Sequence, residues 1–300
     1  MAVLPHRPSW MGLFTILMYG FMYGPIAVLA FYSFNKSRYS GHWEGFSLYW
    51  YRSLLQDRRL LAALQDSLTI AVVAVAVAAV LGTLMAIGLA RYRFPGKGLY
   101  QGMTYLPLIV PDIAMAVAIL VFLTAAALPL SLGTIMAAHV VFCLAYMALV
   151  VGSRLQGLDP NLEEAALDLG ASRLQALTEV LLPQLAPGIL AGCLLTFALS
   201  MDDLLISSFT AGGGANPLPL EIFSRVRTGV KPDINALSVL LITTSALMAA
   251  AGEYGRYWRD RDPRLITPGL PQSPGPETTP ETSDSTNHPL APSRSNTTYP

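Results

Sequence analysis

Charge is what this 300-residue sequence has least of. Asp, Glu, Lys and Arg together make up 13% of it, about half the share usual in a soluble domain. Basic and acidic residues balance at 19 each, so the net charge is zero. That removes the electrostatic footprint a nucleic-acid-binding protein needs. Cysteine is nearly absent too. Cys143 and Cys193 lie inside apolar runs with no ligand residues beside them, which argues against a disulfide framework or a zinc site and leaves small buried residues as the reading. No stretch fits the phosphate-binding pattern G-x-x-x-x-G-K-[ST], and "FPGKGLY" at 94–100 fails it. Nucleotide chemistry is therefore not expected on this chain.

What is present instead is apolar, 53% of all residues. Six runs, near 10–34, 66–90, 101–125, 132–152, 187–209 and 235–257, reach the length of about 20 helical residues that crosses a bilayer. None alternates, which excludes a β-barrel. The expectation is an all-α membrane protein of six transmembrane helices. The first run is too long for a signal peptide, and "SFNKSRYS" after it offers no small-residue cleavage site, so it reads as a retained helix. Arg and Lys give the orientation. Arg7, Arg91, Arg93, Lys97, Arg154, Arg173, Arg256, Arg259, Arg261 and Arg264 fall on one side. Lys36, Arg38, Arg52, Arg58, Arg59, Arg225, Arg227 and Lys231 fall on the other. The small excess, with the tight clusters "RYRFPGK" and "RYWRDRDPR" at helix ends, predicts a cytoplasmic N-terminus. The organisation expected is a cytoplasmic segment 1–9, a six-helix membrane domain 10–265 and a tail 266–300. That tail is rich in Pro, Ser and Thr, too poor in large apolar residues to offset chain entropy, and is expected to be disordered in the cytoplasm.

The longest inner polar segment spans about 154–186. Asp159-Pro160 suits a helix start. Leu162, Ala165, Ala166 and Leu169 share a face, and Gly170 is placed to end that helix in a left-handed conformation. Ser172 and Gln175 have the spacing of a capping box for a second helix, which Pro183 is expected to end. By periodicity alone this is equally an amphipathic pair lying on the membrane surface. The spacing adds something further: Glu164-Ala165-Ala166, three residues, Gly170, nine residues, Val180, one residue, Leu182-Pro183. It resembles the EAA loop of type I ABC-importer permeases, whose pattern has Ile where Val180 stands. The resemblance implies that Glu164, Ala165, Ala166, Gly170, Val180, Leu182 and Pro183 couple this chain to a separate ATP-hydrolysing subunit. ATP and Mg would be bound there, with no cofactor here.

Beyond the loop, "SFNKSRY", "DSLTIAV", "ARYRFPGK", "PDIAMA", "EAALDLGAS", "LSMDDLLISSF" and "LPLEIFSRVRTGVKPDINAL" resemble the PotC-type branch, the spermidine/putrescine permeases of the bacterial inner membrane. This likeness runs from about Tyr19 to Tyr257, leaving the Pro-rich tail outside. It implies a second permease subunit (PotB-like), a homodimeric ATPase (PotA-like), a periplasmic substrate-binding protein (PotD-like) and a polyamine substrate. Polyamines carry spaced ammonium groups, so a path for them calls for carboxylates, hydroxyls and aromatic faces.

The fifth run supplies the first two. On a continuous helix Thr196, Ser200, Asp203, Ser207 and Thr210 form one stripe. Asp202 is turned about 100° from it, so Asp203 is assigned to the path and Asp202 to its edge or a neighbouring helix. Asp112 and Asp203 stand at similar depths, roughly 17 and 22 Å from the inner ends of their spans. Pro107 and Pro111 would kink the third span beside Asp112. Tyr19 and Trp50 are weaker path candidates, on the first span and in the first outer loop. Tyr23 could join Tyr19, or both could pack on a neighbour. His139 reads as a satisfied interhelical residue, and Glu221 as part of a short outer helix. Two rival classes remain. A proton-coupled secondary transporter would show internal inverted repeats, which are not evident. An aspartyl enzyme would need acids that converge, and neighbours on a helix diverge. A type I permease for another substrate shares the loop, and only the acids argue against it.

Overall fold

A computed structural model describes residues 10–37, 42–159, 161–229 and 232–261, with the side chains of 248, 249, 251–253 and 255–261 left out. The expected cytoplasmic segment 1–9 and tail 266–300 lie outside these residues, as do Arg7, Arg38, Pro160, Lys231 and Arg264. The described chain falls into two units, one up to Thr244 and one from Ser245, the latter described only as helix to Arg261. Among the described residues a single antiparallel bridge, Asn35 to Phe46, is the one strand-like pairing.

In chain order the helices are α1 (Trp10–Tyr32), α2 (Tyr49–Gln56), α3 (Arg58–Arg91), α4 (Lys97–Ile109), α5 (Asp112–Ala125) and α6 (Leu132–Gln156). Next come α7 (Asn161–Asp168), α8 (Arg173–Gln175), a π-helical stretch Ala176–Leu181, α9 (Leu182–Asp202), α10 (Leu205–Thr210), α11 (Leu218–Thr228) and α12 (Pro232–Arg261). Among the described residues four spans are long and apolar enough to cross a membrane: α1, α3, α6 and the segment Arg173–Asp202. Counting the bent pair α4–α5 as one span makes five, and α12 is apolar over Pro232–Leu247.

The centre is α3 packed on α6 and α9. Ala71, Ala74, Ala78, Gly82 and Ala86 recur every three or four residues on α3, all buried, and small residues let helix backbones approach where lipid supplies no hydrophobic drive. Met147 of α6 fills the seam. A Cβ built on Gly82 would sit 2.8 Å from the Met147 Cβ, and one on Gly192 of α9 would sit 2.5 Å from its Sδ. Glycine is required at Gly82 by that approach. By contrast α1 buries none of its residues, an apolar helix left uncovered by the rest of this chain.

Two expectations about continuity are corrected and one is met. The third span is bent where expected, at Pro111, with α4 and α5 meeting at 114°. Pro111 forces Val110 out of the helical region (φ −73°, ψ 130°), the usual effect on the residue before proline. The fifth span likewise stops at Asp202, with Asp203 extended at φ −67°, ψ 115° before α10 begins. No Pro or Gly marks this break. The Asp203 carboxylate makes it, accepting from the backbone N–H of Ile206 (3.2 Å) and Ser207 (2.8 Å) and so capping α10. Finally, Pro183 ends nothing. It sits in the first turn of α9, where its missing N–H is spare, and the turn before it widens into a π-helix with Leu182 N–H bonded to Leu177 O. That wider turn separates the proline ring from the carbonyl it would otherwise strike. Gln184 Nε2 donates to the Val180 carbonyl at 3.1 Å.

Candidate functional site

Both breaks open on one cavity of about 300 Å³. Asp112, the first residue of α5, and Asp202, the last of α9, line it with Asp203, Pro107, Phe142 and Tyr146. The last carbonyls of a helix lack intrahelical partners and carry partial negative charge. The end of α9 therefore adds acceptors to three carboxylates. Phe142 and Tyr146 of α6 contribute aromatic surface. The arrangement attracts cations and offers a ring face to a methylene chain or an ammonium group.

The three acids are not alike. Asp203 is 11% exposed by side chain, and its Oδ2 lies 3.3 Å from His139 Nε2. His139 is buried between two hydroxyls, Nδ1 at 2.8 Å from Ser200 Oγ and Nε2 at 3.2 Å from Ser207 Oγ. A carboxylate only accepts, so the His139 Nε2 that faces it carries a proton. Asp112 and Asp202 are exposed, with no ion-pair partner among the described residues. The freer acid of the pair is thus Asp202, while Asp203 holds the break in shape.

The continuous hydroxyl stripe does not survive the break. Thr196, Ser200, Ser207 and Thr210 are buried. Thr196 bonds back to the Gly192 carbonyl and Thr210 to that of Ile206, while Ser200 and Ser207 hold His139. They face α6 and their own backbone. Tyr19 is exposed on α1 with its ring 6.1 Å from that of Tyr23. Trp50 is buried with Leu54, Leu60, Leu218, Ala236 and Leu237, its Nε1 donating to the Asn35 carbonyl at 2.9 Å. Neither lines the cavity. Sequence reasoning missed Phe142 and Tyr146, although His139, Phe142 and Tyr146 sit three and four residues apart, the spacing of one helical face.

Away from the cavity, α7 carries Glu164, Ala165 and Ala166, with Glu164 and Ala165 exposed. Gly170 has φ +89°, the left-handed region that favours glycine. Ser172 and Gln175 form the reciprocal cap. Val180 lies in the π stretch, and Leu182 and Pro183 begin α9. Leu162, Leu167, Leu169 and Leu174 are all exposed around this loop, an apolar patch of the kind that marks a docking surface. Elsewhere, Arg225 of α11 meets Asp57 (2.7 Å), Glu221 (2.8 Å) and Asp233 (3.5 Å). Burial pushes the Asp57 carboxyl up, but the Arg225 guanidinium and the backbone N–H groups of Leu60 and Arg59 outweigh it and hold the carboxyl below its ordinary value.

Residues 78–261 match the family described as binding-protein-dependent transport system inner membrane component. The chain is 41% identical over 242 residues to the spermidine/putrescine transport system permease protein PotC of Escherichia coli (strain K12), covering 81% of this chain and 92% of that protein. It is 44% identical over 243 residues to the putrescine transport system permease protein PotI of the same organism, covering 79% and 86%. A chain of a bacterial ABC transporter that imports the acidic polysaccharide alginate superposes with a TM-score of 0.64 at 18% identity, covering 82% of this chain and 94% of that one. A chain of an amino acid ABC transporter gives 0.54 at 18% identity, covering 69% and 97%.

Proposed function

The chain belongs to the family of binding-protein-dependent transport inner-membrane components, and on that premise we propose that its cargo is a polyamine. It is a multi-pass permease subunit of an ABC importer, a transport subunit and not an enzyme. The relatives at 41% and 44% identity are named for spermidine and putrescine. The observation that carries the reading to this chain is the cavity where two broken helices bring Asp112, Asp202 and Asp203 together. Discontinuous helices whose ends face the cargo are a recurring solution in transporters. A polycation fits three acids. Asp112 and Asp202 take the ammonium groups, Phe142 and Tyr146 flank the methylene chain, and Asp203 keeps the site open.

The remaining parts belong to the same reading. Six spans cross the bacterial inner membrane with the N-terminus in the cytoplasm, α4–α5 forming the third span and α12 the sixth. The exposed leucines and Glu164–Ala166 dock on a PotA-like homodimeric ATPase, which binds ATP and Mg. The uncovered α1 meets lipid or a PotB-like second permease, and a PotD-like binding protein delivers substrate at the outer face. The assay is uptake of labelled spermidine and putrescine into proteoliposomes holding the assembled importer, with binding protein outside and ATP inside. ATP-dependent uptake of either is expected. Transport driven by a proton gradient with no ATPase present, or uptake blind to Asp112→Asn with Asp202→Asn, overturns the reading.

A further inference from the structure

The surroundings of α7 hold one contact made by none of the EAA-pattern residues. Arg91, the last residue of α3, places Nη2 2.6 Å from Oε1 of Glu163, in the first turn of α7. Both side chains are about three-quarters covered, at 27% and 25% exposure. The two groups meet as charges without an aligned hydrogen bond. The pairing suits both helices, since a cation belongs at a helix C-terminus and an acid in a first turn. It also divides adjacent acids: Glu163 is engaged within the chain, whereas Glu164 is exposed toward whatever docks there.

The position matters because of what each helix touches. After α7 the chain turns at Gly170, passes through α8 and enters the π stretch and α9, which ends at Asp202. Arg91 belongs to α3, whose small-residue face packs on α6 and α9 through Met147. A push on α7 therefore has two routes inward, along its own chain into α9 and across the ion pair into α3. We propose that Arg91 and Glu163 are positioning residues of the transport cycle. They tie the coupling helix to the end of α3, so that displacement of the loop by the ATPase moves α3 and α9 together. The inference rests on the permease reading and adds a residue pair outside the EAA pattern.

The test uses the complete importer in proteoliposomes, measuring spermidine taken up per ATP hydrolysed. Glu163→Gln and Arg91→Gln should each lower that ratio by about two- to thirtyfold, the span by which a mutation between coupled sites shifts their coupling, with KM for spermidine unchanged. The exchanged pair, Arg91→Glu with Glu163→Arg, should recover most of the ratio. A double variant no better than the singles overturns the proposal. So does a wild-type ratio in Glu163→Gln, or a loss matched by less assembled complex. A wild-type importer that hydrolyses ATP without moving spermidine is a failure of the substrate reading instead. The pair is then read from ATPase stimulation by the binding protein, which Glu163→Gln must blunt by the same factor.

Discussion

Asp203 Oδ2 and His139 Nε2 lie 3.3 Å apart, and between them they fix the place where the α9 helix ends. The same carboxylate caps α10 through Ile206 and Ser207. Replacing it should damage the fold before it damages recognition. Asp203→Ala is expected to cost about 1 kcal/mol in cap strength and to remove the carboxylate that faces His139 Nε2 at 3.3 Å. Thermal unfolding in nanodiscs would then shift down by roughly 2–4 °C per kcal/mol. Asp202→Asn should leave unfolding unmoved and raise KM for polyamine instead. The reverse pattern would return Asp203 to direct contact with cargo.

The seam at Met147 makes a second, sharper comparison. In Gly82→Ala the new methyl meets Met147 Cβ, which cannot rotate away, and overpacking of that kind costs about 1–3 kcal/mol. In Gly192→Ala the methyl meets the flexible thioether end, and the cost should be smaller. Met147→Ala should relieve the strain of Gly192→Ala and only part of that of Gly82→Ala, whose new methyl meets Met147 Cγ and Cβ alike and keeps the Cβ clash. Unfolding temperatures of the single variants and the two doubles decide it.

Gly170 has open space around its Cβ position, so its φ of +89° is the whole constraint. Gly170→Asn should keep most transport, because Asn tolerates this region. Gly170→Val should cost about 1–2 kcal/mol, reshape the turn between α7 and α8, and lower uptake per ATP with the membrane helices intact. Equal behaviour of the two variants would remove the turn from the coupling argument.

The Arg225 cluster gives a pH dependence. Asp57 titrates lower in the folded protein than its ordinary 3.8. A depressed carboxylate contributes stability that is complete above the ordinary value and is lost as pH falls through the folded one. Protection factors in α11, taken against the intrinsic exchange rate at each pH, should therefore hold at neutral pH and fall only below about pH 4. Arg225→Gln removes the partner of Asp57, Glu221 and Asp233 together, and should quicken exchange in α11 at neutral pH. Unchanged protection in that variant would show that the cluster does not hold α11.

The sequence made much of this legible, and where it failed the cause is physical. Hydropathy located α1, α3 and α6, and the spacing of Ser172 and Gln175 found a real capping box. Gly170 was readable because a positive φ nearly demands glycine. The break at Asp203 was not. An Asp at mid-span signals a buried charge, and nothing local says that it will cap a new helix. The hydroxyl stripe rested on a continuous helix, so it failed when the helix stopped. Pro183 misled for a related reason, since a proline ends a helix or begins one, and only the wide turn before it decides. Trp50 shows a third kind of limit: an aromatic in an outer loop reads as exposed until Asn35 takes its N–H.

The π-helical stretch at Ala176–Leu181 also sets a phase. Each residue of helix advances the chain by about 100°, so one extra residue in a turn is an angular offset between the segments on its two sides. Here those segments are the α7–α8 loop, proposed above to dock on the ATPase, and the span that ends at Asp202. Removing a single residue from that stretch would let the wide turn tighten. It would also swing the Glu164–Ala166 face by about a quarter of a circle around α9. The bearing of the loop on its partner is thus written in the count of residues as well as in their identities.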